Sequence, residues 1–207
     1  MPTSFTRNLI ASSFLALSLA AAAPVLAKSR GFETTINAPI SSAVKVEVVI
    51  GDELAHRAEN LPTKLRDRSN SRRLNAGFAN NGYYGEKDVA RLAERLQSKL
   101  EKRLVKKGIT VSENAPAVLR VTLTDAKPNR PTFTQLSKEP SLSSRSFALG
   151  GAEMEAELIA AGGTSLGTMS YRYFEDDIRF ASQAGIWVDA HRAMDRFANR
   201  ASKTLSH

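Results

Sequence analysis

Two alternating runs on either side of Gly162-Gly163, within the stretch from Arg145 to Phe174, constrain the fold more than any other feature. From Ala152 to Ala160, the residues Ala152, Met154, Ala156 and Leu158 take one side, and Glu153, Glu155 and Glu157 the other. From Leu166 to Tyr173, Met169, Tyr171 and Tyr173 share one face, and Thr168, Ser170 and Arg172 the opposite one. Successive side chains of a strand point to opposite faces, so a period of two marks a half-buried strand. Gly-Gly between two such runs suits a tight hairpin, because the primed turns need positive φ. A two-residue loop at Gly162-Gly163 then sets a register, with Glu153 opposite Arg172, Glu157 opposite Thr168 and Met154 opposite Tyr171. Polar meets polar and apolar meets apolar, so the pairing is self-consistent. The three glutamates are expected on a solvated sheet face rather than in a catalytic cluster.

The amino terminus reads as an address. Residues 1–27 have the form of a secretory signal peptide: Arg7 in the n-region, an apolar Leu9–Ala23, and small residues at Val25 and Ala27 before the cut. The apolar run is too short and too rich in alanine for a comfortable membrane span. No cysteine follows the cut, so lipid attachment there is not expected. The mature chain is expected to be soluble and exported to a bacterial periplasm. Cysteine is absent throughout, so stability must come from a core rather than from disulfides. Thiol catalysis and thiolate metal sites are excluded with it.

Residues 28–43 are polar and without period, and are expected as a flexible lead-in to one domain over 44–207. Val44 to Ile50 alternates as a first strand, and Asp52 is placed to cap a short helix from Glu53 to Asn60. A long loop is expected over 61–85. It holds the basic residues Lys64, Arg66, Arg68, Arg72 and Arg73, followed by Phe78, Tyr83 and Tyr84. Basic residues beside aromatics would suit nucleic acid, but export leads away from it, so nucleic acid is not the expected partner.

Glu86 to Lys107 has the clearest helical period: Val89, Leu92, Ala93, Leu96, Leu100 and Leu104 form one apolar stripe. Lys87, Arg91, Arg95, Lys99, Arg103 and Lys107 recur every fourth residue and wind slowly round the helix as a basic ridge. Like charges at i, i+4 cost an isolated helix something, which points either to an anionic surface or to a salt-screened solvated face. Ile109–Val111 reads as a short strand and Val118–Thr124 as a longer one. Residues 125–144, with Pro128, Pro131 and Pro140, read as a second long loop. Phe133 and Leu136 within it suit an exposed anchor or ordinary packing equally. The last helix is expected from about Ala184 to Leu205, with Trp187, Met194 and Phe197 facing inward.

This order predicts an α+β fold: a two-layer domain, with a mixed sheet of about five strands and two long amphipathic helices packed on one face. The helical crossover after the first strand favours a parallel neighbour. Chemistry is harder to find. His56, His191 and His207 are the only histidines, and none stands in a two-histidine metal spacing. Glu175-Asp176-Asp177 lacks the ligand spacing of a calcium loop and reads as an acidic turn. No P-loop, dinucleotide fingerprint, HExxH or nucleophile elbow is read from the chain, and no cofactor is expected.

The signal peptide, the helix end from Leu96 to Gly108, the Ser146-Phe147-x-Leu149-Gly150-Gly151-Ala152 lead into an alternating strand, and the Gly-rich hairpin resemble uncharacterised bacterial envelope proteins with domains of unknown function. The helix-on-sheet layout is similar to that of the small amino-terminal domain of the Tol–Pal protein TolB. The likeness implies interaction with other envelope components rather than catalysis, and brings no functional residue with it. Three readings follow. The first is a non-enzymatic envelope protein binding a periplasmic protein or cell-wall partner. The second is a salt-sensitive binder of anionic polymer or lipid headgroups, using Lys64, Arg66, Arg68, Arg72, Arg73, Lys87, Arg91, Arg95, Lys99 and Arg103. The third is a hydrolase in which carboxylates such as Glu155 and Asp176 converge in a pocket.

Overall fold

The computed structural model describes residues 31–61 and 77–206. The signal peptide, the basic segment 64–73 and His207 lie outside the described residues. Five strands form one sheet: β1 (Gly31–Thr34), β2 (Val44–Ile50), β3 (Ala117–Lys127), β4 (Gly151–Ile159) and β5 (Ser165–Phe174). Their order is β1-β5-β4-β3-β2. The helices are α1 (Asp52–Glu59), α2 (Gly77–Asn80), α3 (Glu86–Lys106), α4 (Phe133–Lys138) and α5 (Val188–Ser206). The sheet is mixed, because β2 runs parallel to β3 while the other neighbours are antiparallel. The chain returns from β2 to β3 through α1 and α3, and a parallel neighbour requires such a crossover.

The hairpin has the register its sequence dictates: Glu153 faces Arg172, Met154 faces Tyr171 and Glu157 faces Thr168. Its turn is one residue longer than expected. The Ala160 N–H donates to the Thr164 carbonyl, and the Gly163 N–H to that of Ala160, which encloses Ala161 to Gly163. Gly163 stands at φ +80, the left-handed position that closes a three-residue loop. The extra residue is absorbed by an offset between Leu158–Gly167 and Ile159–Ser165, leaving Leu166 unpaired.

Val44, Val46, Leu119, Val121, Leu123, Met154, Leu158, Met169 and Tyr171 make one buried sheet face. Helix α3 packs over β2, α5 over β4 and β5, and the two helices touch each other. Leu92, Leu96, Leu100 and Leu104 of α3 are all buried, as the i, i+4 spacing demands. Helix α5 buries Ala190, Ala193, Ala198 and Ala201 around Met194 and Phe197. These small residues let its backbone lie close to the sheet.

Several boundaries differ from expectation. Residues 31–34 of the supposed flexible lead-in form β1, because Phe32 reaches inward to within 6.3 Å of the Phe197 ring and the β5 edge is open to pairing. The region 125–144 is not a plain loop. Strand β3 continues to Lys127, and α4 is nucleated by a capping box in which Thr132 and Gln135 satisfy each other's backbone N–H groups. Ile109–Val111 contributes a single bridge to Val44 rather than a strand. Asp52 is the first residue of α1 and not its cap; Gly51 holds that place without a side-chain bond. Helix α5 starts at Val188, four residues late, because the Ile186 carbonyl accepts from Asn129 N–H and the Asp189 N–H donates to Asn129 Oδ1.

Candidate binding surfaces

Among the described residues, helices cover the sheet on one face only. The other face carries the second half of each alternating pattern: Glu33 on β1, Thr168, Ser170 and Arg172 on β5, Glu153, Glu155 and Glu157 on β4, and Arg120 and Thr122 on β3. Together they line an open depression of about 850 Å3. Four carboxylates meet two guanidiniums there, in a chain whose formal charge is +8. Arg172 Nε donates to Glu153 at 3.2 Å, and Arg120 Nε to Glu47 on β2 at 2.9 Å. The expectation of a uniformly wet glutamate row fails at Glu153, which is only 7% exposed. It sits under Arg172, and both Arg172 and Lys127 lean over the Phe174 ring beside it. Burial lowers the Lys127 ammonium pKa, helped by Arg57 and Arg172 and opposed by Asp125 and Glu153. Glu155 is exposed and Glu157 half-buried.

The second surface lies across the helices. Arg95, Ser98, Lys99, Lys102 and Arg103 of α3 line a groove of about 460 Å3 whose far wall is Asp195 of α5. Three of the ten anticipated anion-binding residues, Arg95, Lys99 and Arg103, therefore come together. Lys102, from the same helix, joins them. Lys87 and Arg91 are exposed and do not line the groove. Lys64, Arg66, Arg68, Arg72 and Arg73 lie outside the described residues. Lys99 Nζ is bonded to Asp195. Half-buried His191 has its pKa pushed down to about 4, first by burial, then by Arg95 and Lys99, against the pull of Asp195.

Buried polar groups fix the loops at one end of the sheet. Asn129, fully buried, donates to the Asp189 carboxylate at 2.5 Å and the Ala148 carbonyl at 3.3 Å. Its own backbone N–H reaches Ile186 and its carbonyl takes the Ala148 N–H. Arg57 bonds both Asp125 (2.7 Å) and the Tyr84 hydroxyl (2.5 Å). Burial pushes the Tyr84 phenol up to about 12, with Arg57 opposing. Gln135 secures α2 and the stretch after it through the Phe78 and Gly82 carbonyls. These bonds hold Phe133 outward, 81% exposed, while Leu136 is half-buried.

The carboxylates of the hydrolase reading do not converge: Glu155 lines the depression, and Asp176, beyond the end of β5, does not. One pattern escaped the sequence reading. Gly163-Thr164-Ser165-Leu166-Gly167 fits Gly-x-Ser-x-Gly letter for letter. A nucleophile elbow needs a strand before the serine and a helix after it. Here the serine opens β5 from the hairpin turn and is exposed. Among the described residues, no group of three or more His, Cys, Asp or Glu is placed to hold a metal ion. None of their helices is long and apolar enough to cross a membrane.

The described residues thus form a two-layer α+β domain with one sheet face that none of their helices covers and a cationic groove on its helical side. No protein-family model matches the chain, and no curated protein does. Among solved structures it is similar to the PelC dodecamer of Paraburkholderia phytofirmans. One crystal form, of a single-residue variant of that protein, gives 15% identity over 84% of this chain and 96% of that one, with a TM-score of 0.42. A second gives 11% identity over 81% and 96%, with a TM-score of 0.43. A minor lipoprotein from Acinetobacter baumannii gives 11% identity over 78% and 91%, with a TM-score of 0.31. Likeness at this level carries no argument about function.

Proposed function

We propose that this is an exported, non-enzymatic protein of the bacterial envelope that holds a periplasmic protein partner on the open face of its sheet. The observation that carries the reading is the one-sided cover: helices bury one face and leave the other as a broad depression with an acid excess. The partner's chemistry follows from that charge. Basic side chains meeting Glu155 and Glu157 would find carboxylates already fixed on a rigid sheet, which favours specificity and encounter rate. A wide polar face with spaced charges suits a macromolecule better than an enclosed small ligand.

The test is site-specific photocrosslinking in cells, with the crosslinking residue placed at Thr122 or Ser170 in the depression, or at Lys87 on α3 as a control. The expected result is one discrete adduct from the two sheet positions, absent from the control and abolished by Glu155→Lys with Glu157→Lys. Adducts equally frequent from Lys87, or unchanged by the charge reversal, would sink the reading. Crosslinking to glycan strands instead of protein would replace the protein partner with a cell-wall one.

A further inference from the structure

We infer that the groove between α3 and α5 is a second binding site, specific for a phosphate-bearing group, and independent of whether the sheet face docks a partner. Four cations from two turns of one helix line it, and its single acid, Asp195, is already engaged by Lys99. Among the described residues, Arg95, Lys102 and Arg103 have no carboxylate partner. Arg95, Lys99 and Arg103 follow one another at i, i+4, where like charges oppose helix formation, and a bound anion would relieve that opposition.

Guanidiniums offer two parallel N–H donors that match phosphate oxygens, and lysines add point charge from the side. The Ser98 hydroxyl, between them, supplies a neutral donor. Three cations without a carboxylate partner call for a ligand of at least two negative charges, which phosphate supplies and a single carboxylate does not. His191, beside the groove, faces Arg95, Lys99 and Asp195 and is uncharged at neutral pH. It therefore serves as a built-in reporter. An anion seated against Arg95 and Lys99 offsets the two charges that hold its proton off, so the His191 midpoint rises on binding.

The experiment adds inorganic pyrophosphate to the purified exported chain and follows the His191 ring signals by NMR through a pH series. The double variant Arg95→Gln with Lys102→Gln is compared with Lys87→Gln with Arg91→Gln, which removes the same charge from the same helix outside the groove. Charge-assisted bonds at a specific site predict a loss of about tenfold or more for the first pair and about twofold or less for the second. His191 is expected to move on ligand addition in the native chain and in the control pair only. Equal losses in both pairs, a stationary His191, or no binding of pyrophosphate would overturn the inference. A second arm uses vesicles containing phosphatidic acid, whose headgroup is a phosphomonoester able to carry a second negative charge. Vesicle binding that pyrophosphate competes away assigns the phosphate to a lipid headgroup, and binding of pyrophosphate but not of vesicles assigns it to a soluble or polymeric source.

Discussion

Asn129 does more for the structure than its place in a proline-rich connection suggests. Through side chain and backbone it ties the connection between β3 and α4 to the approach to β4 and the first turn of α5. It also explains a glycine. A Cβ at Gly150 would stand 2.6 Å from Asn129 Oδ1, so the Gly-Gly that leads into β4 is a matter of room. Asn129→Ala removes the amide from a wholly buried carboxylate, Asp189, and should cost about 2–4 kcal/mol in urea denaturation. Asn129→Asp should cost more, since it sets two carboxylates against each other. A loss below about 0.5 kcal/mol would show that Asp189 is satisfied without it.

At the level of elements, the parts most legible in the sequence are those whose side chains alternate between water and core. The hairpin register and the α3 stripe follow from period alone, because a one-residue slip would bury Glu155 and expose Met154. The stripe carries an energetic claim. Leu100→Ala should destabilise the chain by about 2–5 kcal/mol, whereas Leu166→Ala, on the unpaired residue of the hairpin, should cost less than about 0.5 kcal/mol. Comparable losses would mean that the hairpin tip is packed against something.

What stayed illegible depends on partners distant in the chain. Phe32 sits in a mostly polar run, and β1 is ordered by its contact with Phe197 and its pairing on β5, both distant in the chain. The late start of α5 is set by Asn129, which no local pattern around Val188 reveals. Helix α4 was legible, because Thr132-Phe133-Thr134-Gln135 has the spacing of a capping box, but three prolines nearby masked it. The groove was half legible: spacing gave the ridge on α3, but its opposite wall at Asp195 needed the α3–α5 packing. The open face was half legible too. Its alternation was clear, but not that Arg172 would bury Glu153.

For the whole molecule, the helical layer makes a statement about acid. His191 is held near 4 in the folded chain against an ordinary 6.5. Between these values the unfolded chain binds the extra proton and the native one does not, so stability is full above pH 6.5 and falls as pH drops toward 4. The half-exposure of the ring keeps the effect modest. Melting temperatures measured across that window should decline less for His191→Gln than for the native chain. An identical decline would place the acid sensitivity in other groups.

Strand β1 pairs with β5, and the Ile40 N–H bonds the Leu205 carbonyl. The first described residues are thus held by segments more than a hundred residues further along the chain. A chain emerging amino terminus first can pair β1 only once β5 has emerged, and can seat Ile40 only once α5 has. Any chain stopped before Val188 therefore leaves Phe32 and Ile40 without the helix they rest on. Until α5 has emerged, the Phe32 side chain and the Ile40 N–H have no partner to close against.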